Sequence, residues 1–250
     1  MTRSILITGA SSGLGAALAR FYAAPDVHLS LWGRDAGRLT DVARDCREHG
    51  AAAETTSFDM RHPGSLAEAL AGLDAERQID LAIFCAGLGG TIGDRRVESP
   101  ARAMEIATVN FTACVVGAAA LAERMVERGR GQIVLIGSIA GAFPLPIAPT
   151  YSGSKAGLKV FAEALRLRVA PLGVAVTHVA PGFIDTPMSR QITGPKPWMA
   201  SAEAAAAIVA RAAARQAGHL VFPRAFAAVR AAYLCLPGPL RRAIMARLKP

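Results

Sequence analysis

Cysteine is scarce in this chain of 250 residues, and the four cysteines stand far apart. Cys46, Cys85, Cys114 and Cys235 have neither zinc-site nor Cys-x-x-Cys spacing, so the sequence predicts no structural metal and no disulfide framework. Reduced thiols favour a cytoplasmic location. Because no secretory signal and no uninterrupted run of about 18 apolar residues is recognisable, we expect neither secretion nor a transmembrane helix.

Acidic residues are missing from the last part of the chain. The last one is Glu203, and the eight lysines and arginines that follow it supply almost all of the formal net charge of +9. The part before Glu203 is close to neutral, which argues against nucleic-acid binding over the whole fold. We therefore expect no nucleic-acid partner, and a basic segment at the C-terminal end of the sequence.

Charged residues (19%) and aromatic residues (6%) are few, whereas 52% of the residues are hydrophobic. This composition indicates one large domain with a buried core and not a disordered chain. Strand-like apolar segments alternate with helical segments from Ile5 to Phe222, and helices are expected over 41–49, 107–125 and 151–169. The alternation predicts an α/β fold with a parallel sheet that is covered by helices on both faces.

A glycine-rich turn joins the first predicted strand to the first predicted helix. It reads Thr8-Gly9-Ala10-Ser11-Ser12-Gly13-Leu14-Gly15. Glycines allow positive φ angles and a close approach of the backbone to a ligand, and the helix that begins at Gly13 directs free N–H groups at a phosphate. In this position between strand and helix, the turn predicts a dinucleotide site.

A second motif places a phenol and an ammonium on one face of a helix. Tyr151 and Lys155 are four residues apart, and Ser138 follows a predicted strand thirteen residues before Tyr151. A phenol with an ordinary pKa of about 10 is a poor acid or base at neutral pH, but a nearby ammonium favours its ionised form. A serine hydroxyl at a strand end can hold the substrate oxygen for proton transfer.

Together these motifs resemble the short-chain dehydrogenase/reductase family over roughly residues 3–222. The resemblance implies a single Rossmann-like, doubly wound parallel sheet of about seven strands, with residues 1–223 as the catalytic domain and 224–250 as an extension. The matched motifs are TGASSGLG at 8–15, Asp59, Ala86-Gly87, Asn110, Ser138, YSGSK at 151–155, and Pro181-Gly182 followed by Thr186.

The resemblance also implies roles for individual residues. Tyr151 would be the acid/base, Ser138 would orient the carbonyl, Lys155 would bind the nicotinamide ribose, and Asn110 would hold a water in a proton relay with Lys155. Asp59 would contact the adenine. Val109 would lie near the ribose, and Phe183, Ile184 and Thr186 would hold the nicotinamide end. The residues expected to bind the cofactor are Gly9, Ser11, Ser12, Gly13, Leu14, Gly15, Arg34, Asp59, Met60, Ala86, Gly87, Tyr151, Lys155, Pro181, Gly182, Ile184 and Thr186.

One motif departs from the family pattern. Members usually carry Asn-Asn-Ala-Gly after the fourth strand, whereas this chain has Phe84-Cys85-Ala86-Gly87. The asparagine that normally ties neighbouring strands together is missing, and we expect some loss of local rigidity at this point. Cys85 is interpreted as a small buried residue and not as a reactive thiol.

The end of the second strand bears on the choice of cofactor. An acidic residue there would bind the ribose hydroxyls of NAD, whereas an arginine accommodates the 2′-phosphate of NADP. Arg34 resembles the phosphate-binding arginine of members that prefer NADP, although Asp35 follows it. The sequence favours NADP(H) over NAD(H).

The last part of the sequence predicts a lid and a tail. Residues 188–199 interrupt the alternating pattern where the family has a mobile lid, and 224–250 read as a pair of basic amphipathic helices. This tail could lie on an anionic membrane surface, cover the substrate mouth of its own domain, or contact a dimer partner. By resemblance, the alanine-rich helix around 113–122 and the Tyr151 helix would build a homodimer or homotetramer.

These observations predict an NADPH-dependent reductase of an apolar ketone or aldehyde, or the reverse alcohol dehydrogenase. The alternative is an NADP-binding regulatory or scaffold protein with a dormant site, although such a protein would not need Asn110, Ser138, Tyr151 and Lys155 together. A sugar-nucleotide epimerase or dehydratase is disfavoured because the 27 residues after Pro223 cannot form a substrate domain.

Overall fold

The computed structural model describes residues 2–91 and 97–247. A seven-stranded parallel sheet in the order β3-β2-β1-β4-β5-β6-β7 forms its centre. The strands are β1 (Arg3–Thr8), β2 (Val27–Gly33), β3 (Ala52–Ser57), β4 (Leu81–Phe84), β5 (Gly131–Ile136), β6 (Val174–Pro181) and β7 (His219–Phe222). This confirms the predicted α/β class and the doubly wound parallel sheet.

Helices pack on both faces of the sheet. They are α1 (Gly13–Tyr22), α2 (Ala36–Glu48), α3 (Pro63–Glu76), α4 (Pro100–Ala107), α5 (Ala113–Glu127), α6 (Pro149–Val169), α7 (Pro187–Arg190), α8 (Ala202–Ala214), α9 (Ala225–Cys235) and α10 (Gly238–Ala246). Successive strand residues point to opposite faces, so Ile5 joins a core with α1, α2 and α8, whereas Leu6 joins a core with α3, α5 and α6.

The strand order reverses at β1, and this reversal fixes where a ligand can bind. The chain runs outward from β1 to β2 and β3 and then returns to place β4 on the other side of β1. Thr8 at the end of β1 is in register with Trp32 of β2 and Phe84 of β4. In an open parallel sheet, the crevice at the carboxyl ends beside such a reversal is the usual ligand site.

Two helices differ from the sequence prediction. α2 begins at Ala36 and not at 41, because Asp35 caps it by accepting a hydrogen bond from the Arg38 N–H at 3.0 Å. The helix predicted over 107–125 is instead a longer run over 100–127 that is interrupted by one π-helical turn, Thr108–Thr112. That run is long and apolar enough to cross a membrane, but its buried residues pack in the core as in a globular domain.

The predicted pair of C-terminal helices is present as α9 and α10. α9 follows β7 and contacts it, whereas no residue of α10 is buried. The sequence prediction for the tail also included Leu248 and Lys249, which lie outside the described residues.

Candidate active site

The glycine-rich turn lies at the carboxyl end of β1. Gly9 has a φ of +69°, and a Cβ at this position would lie 2.7 Å from the Cα of Ala86. A Cβ on Gly15 would collide with the carbonyl oxygen of Gly9. Any side chain larger than that of glycine would clash at these two positions. Because both residues are glycine, the chain turns tightly here and its backbone faces the crevice.

The N-terminus of α1 opens into the same crevice. Ser12 is in the N-cap position with extended backbone, and its side chain makes no capping hydrogen bond among the described residues. The first N–H groups of a helix have no partner within the helix and carry partial positive charge. Gly13, Leu14 and Gly15 therefore present donors suited to a phosphate, with Ser11 beside them.

The floor of the crevice is tied together by Thr8. Its Oγ1 accepts hydrogen bonds from the N–H groups of Cys85 at 3.1 Å and Ala86 at 3.2 Å, which links β1 to the end of β4. This bond joins the two strands although the family asparagine is missing. Desolvation raises the pKa of the Cys85 thiol to about 12, against a smaller opposing effect of Lys155, so Cys85 stays protonated at neutral pH.

Asn110 is fully buried in the π-helical turn. Its Oδ1 accepts a hydrogen bond from the Leu88 N–H at 2.7 Å, and its Nδ2 donates one to the Leu88 carbonyl at 2.9 Å. Single π-turns within α-helices often occur at functional sites. Here the turn directs one side chain at the loop after β4 and holds that loop through both of its backbone groups.

Lys155 is buried and lies one helical turn from Tyr151. Its Nζ donates a hydrogen bond to the Ile136 carbonyl at 2.9 Å and lies 5.9 Å from the centre of the Tyr151 ring. A Cβ on Gly87 would lie 3.7 Å from this Nζ and 3.4 Å from the Asn110 Oδ1. Lys155 and Asn110 therefore converge on Gly87.

The Lys155 ammonium forms no ion pair among residues 2–91 and 97–247. A buried charge is costly unless polar partners surround it. One carbonyl oxygen satisfies only one of the three ammonium donors. The position is therefore suited to a ligand with hydroxyl groups, such as a ribose.

Ser138 lies two residues beyond β5, at the same edge of the sheet. Its Oγ accepts a hydrogen bond from the Ala140 N–H at 3.1 Å and caps the 3₁₀ turn Ile139–Ala142. This turn packs on α6, because a Cβ on Gly141 would lie 2.6 Å from the carbonyl carbon of Lys155. Ser138 and the Tyr151 helix are thus held against each other.

The predicted lid, 188–199, lies within a segment over residues 183–200 that packs against the glycine-rich turn through Thr186. Its two ends are joined because the Asp185 N–H donates to the Ala200 carbonyl at 2.8 Å and the Ala200 N–H donates to the Phe183 carbonyl at 2.9 Å. Thr186 caps α7, and its Cγ2 lies 3.0 Å from where a Cβ of Gly13 would be. Thr186 therefore faces the glycine-rich turn, and Pro181-Gly182 and Ile184 lie just before it in the chain.

The end of β2 presents an arginine. The Asp35 carboxylate is engaged by the N–H of Arg38 and by its guanidinium at 3.2 Å, whereas Arg34 is exposed. Asp59 forms an ion pair with Arg61 at 2.5 Å, and the hydrogen bond from Arg61 holds the pKa of Asp59 below its usual range. Met60 beside it is buried. Among the described residues, the Asp35 carboxylate is therefore paired with Arg38, whereas the Arg34 side chain is exposed.

Sequence reasoning missed two groups at the site. Leu88, whose backbone pairs with Asn110, and the Ile136 carbonyl, which accepts from Lys155, contribute only main-chain atoms. The run of glycines at 87, 89 and 90 was a usable signal for the first, since it marks a backbone that approaches other groups closely. No side-chain pattern marks the second.

The fold and this site define an α/β oxidoreductase with a dinucleotide-type glycine turn. The chain belongs to the short-chain dehydrogenase family, because the family model described as short chain dehydrogenase matches residues 3–196. An uncharacterized oxidoreductase of Myxococcus xanthus (strain DK1622) is 32% identical over 248 residues, 99% of this chain and 98% of that protein.

Other relatives and solved structures are similar over different lengths. Dehydrogenase/reductase SDR family member 7B of Mus musculus is 34% identical over 194 residues, and these cover 74% of this chain but 58% of that protein. The short-chain dehydrogenase from Sphingobium yanoikuyae in complex with NADPH has a TM-score of 0.84 at 29% identity, covering 99% and 96% of the two chains. The bulky-bulky ketone specific alcohol dehydrogenase from Comamonas testosteroni has a TM-score of 0.80 at 25% identity, covering 99% and 95%.

Proposed function

We propose that this protein reduces an apolar ketone or aldehyde with NADPH, or catalyses the reverse oxidation of the alcohol. The observation that carries the proposal is the buried Lys155 ammonium, which lies 5.9 Å from the ring centre of Tyr151 and beside Gly87. This arrangement provides a proton donor and a hydroxyl-binding cation at the ligand edge of the sheet.

The residues at this edge fit a nicotinamide dinucleotide. The uncapped N-terminus of α1 suits a pyrophosphate, and the incompletely satisfied ammonium of Lys155 suits ribose hydroxyls. Ala86, Gly87 and the turn Pro181-Gly182 would form its floor and far wall. When bound, NADPH supplies the hydride that reaches the carbonyl carbon.

NADPH is favoured over NADH because Arg34 is exposed at the end of β2, where Gly33 brings no carboxylate. A guanidinium binds a phosphate through charge-assisted hydrogen bonds. The similar protein from Sphingobium yanoikuyae is in complex with NADPH, which supports the same preference here.

Side chains of this protein then carry out the proton transfer. The Tyr151 hydroxyl donates its proton to the carbonyl oxygen, and the Ser138 hydroxyl holds that oxygen in place. The Lys155 ammonium favours the phenolate that remains. Asn110 fixes the loop at Leu88 and so keeps the pocket around Gly87 in shape for the relay that returns a proton.

Exposed apolar side chains on the lid support the proposal that the substrate is apolar. Trp198 is 53% exposed and Met199 is 49% exposed, and both are large apolar side chains on the segment predicted as a lid. The printed specificity of the Comamonas testosteroni enzyme for bulky-bulky ketones agrees with a wide site in a protein of this fold.

The assembly and location that we propose are a cytoplasmic homodimer or homotetramer. The support is the exposed apolar side chains of Val160 and Leu167 on α6, one of the two helices expected to form the interface. A contact of 224–250 with the inner membrane surface is also proposed, because Leu240 and Ile244 are exposed beside Arg241 and Arg242. Absence of sedimentation with anionic liposomes would exclude that contact.

The decisive experiment follows NADPH consumption with ketones and aldehydes of graded chain length. Tyr151→Phe should lower kcat/KM by about 10²–10⁴-fold while NADPH still binds, because only the proton donor is lost. Tyr22→Phe is the matched control, since Tyr22 lies on α1 and should leave kcat/KM unchanged. If NADPH binds and neither carbonyl compounds nor alcohols with NADP⁺ react, the protein is a binding protein with a dormant site.

A further inference from the structure

Helix α9 is held on the domain by two aromatic side chains. Phe226 and Tyr233 are seven residues apart, which places them on one face of the helix and about 10 Å apart along its axis. Phe226 is the only residue of α9 that is buried, while Val229 and Leu234 are exposed. The attachment of α9 to the domain therefore depends on the contacts of these two aromatic rings.

Phe226 contacts the wall of the site that carries the lid. A Cβ on Gly182 would lie 2.5 Å from the Cε2 of Phe226. The Phe226 ring lies edge-on to Trp198 at 5.1 Å between centres, and 6.4 Å from the Phe183 ring. Phe226 thus fills the space between the Pro181-Gly182 turn and the lid.

Tyr233 contacts a second wall of the site, the one that carries Ser138. Its ring lies edge-on to Phe143 at 5.2 Å, and Phe143 ends the short turn that Ser138 caps. The Arg241 guanidinium lies 5.9 Å from the centre of the Tyr233 ring and covers it from the side of α10. α9 therefore runs from the lid wall to the Ser138 wall.

From this placement we propose that α9 is the outer wall of the substrate site and that Phe226 and Tyr233 determine its specificity. The inference rests on the proposed function and narrows its substrate class. The site would take a carbonyl compound in which one substituent is bulky and apolar, packed among Phe143, Trp198 and Phe226. Aromatic rings from three separate segments provide flat apolar surface and no carboxylate to bind a polar group.

The experiment measures kcat/KM for alkyl phenyl ketones from acetophenone to octanophenone. In Phe226→Ala and in Tyr233→Ala, the ratio of kcat/KM for octanophenone to that for acetophenone should change by about tenfold or more, since each pocket methylene discriminates about 10–200-fold. If Phe226→Ala does not fold, Phe226→Leu takes its place in the experiment, because leucine keeps an apolar contact at this position. Phe21→Ala on α1 is the matched control and should leave the ratio unchanged. An unchanged ratio in folded, NADPH-binding α9 variants overturns the proposal.

A second readout needs no turnover. The emission of Trp198, obtained as the difference between the wild-type spectrum and that of Trp198→Phe, should be altered by octanophenone in the presence of NADP⁺. Phe226→Ala should abolish or weaken that response by about tenfold in apparent Kd. If Phe226→Ala weakens the Trp198 response but no ketone is reduced, the result contradicts the proposed function and supports α9 as the outer wall of the site. If ketones are reduced but neither the kcat/KM ratio nor the Trp198 response differs in the α9 variants, the result contradicts α9 as the outer wall and supports the proposed function.

Discussion

At the scale of single residues, the site is marked by polar groups in unusually buried places. Asn110 and Lys155 are both almost completely shielded from solvent, yet one is bonded to the Leu88 backbone and the other to a single carbonyl. Burial without complete pairing is costly, so a lysine in this state indicates a ligand-binding function. Among the exposed residues, Arg34 is the one on which the proposed preference for NADPH rests.

Exchanging Arg34 for aspartate should reverse the cofactor preference. The variant loses a charge-assisted bond to the 2′-phosphate and gains a carboxylate that repels it, so the ratio of NADPH to NADH affinity should fall by about 10–100-fold. Titration of both cofactors by fluorescence measures this ratio. Arg44→Asp on the exposed side of α2 adds the same charge elsewhere, and it should leave the ratio alone. A ratio that stays the same in Arg34→Asp contradicts the assignment of the phosphate site.

At the scale of elements, local signals in the sequence predicted the strands and most helices. β1 ends at the glycine-rich turn and α6 ends before Pro171 and Gly173, and both boundaries come from residues adjacent in the chain. The start of α2 needed the capping role of Asp35, which composition alone does not reveal. The π-turn at Asn110 was unpredictable from periodicity, because it depends on a loop 22 residues away.

The site was predictable to a similar extent. The spacing of Ser138, Tyr151 and Lys155 in the sequence is enough to predict them as candidate catalytic residues. The contact of Phe226 with Trp198 joins segments from the lid and the tail, and tertiary packing alone brings them together. Interactions between distant segments leave no period in the sequence, and this is why the wall made by α9 was only one of three alternatives.

The joint between α3 and α5 should depend on Asp74. This buried carboxylate pairs with Arg124 at 2.9 Å and Arg128 at 2.8 Å, and accepts from the Ile79 N–H at 2.9 Å. Asp74→Asn leaves two guanidinium groups without their anion and should lower the free energy of unfolding by about 3 kcal/mol. Asp41→Asn removes an exposed pair with Arg44 and should cost less than about 1 kcal/mol.

The effect of Asp74 should depend on pH in a defined direction. Burial acts to raise the pKa of Asp74, but the Ile79 N–H and the two arginines outweigh it and the pKa is lowered. A carboxyl with a lowered folded pKa contributes its full stability above its ordinary pKa of about 3.9 and loses it as the pH falls through the folded value. Urea unfolding should therefore show a gap between wild type and Asp74→Asn that is constant at neutral pH and closes in acid. A gap that persists unchanged in acid would contradict this origin.

At the scale of the whole molecule, α6 exposes apolar side chains on which we expect a second copy to pack. Val160 and Leu167 are seven residues apart and 68% and 67% exposed, so they lie on one side of the helix. Analytical ultracentrifugation should show a dimer or tetramer that the double variant Val160→Glu/Leu167→Glu shifts to smaller species, because charges replace the buried contact. Leu234→Glu on α9 is the control. A shift in the control alone would place the interface on the tail.

The attachment of α9 through Phe226 and Tyr233 also has a consequence for how such an enzyme can diverge. The catalytic groups belong to the sheet edge and α6, whereas the proposed outer wall belongs to an element whose other side chains are largely exposed. We expect substitutions at its exposed positions to act on selectivity and to leave the packing of the sheet unchanged. New substrates can therefore be acquired by substitutions in one short segment outside the sheet, as long as the buried Phe226 keeps its apolar contact.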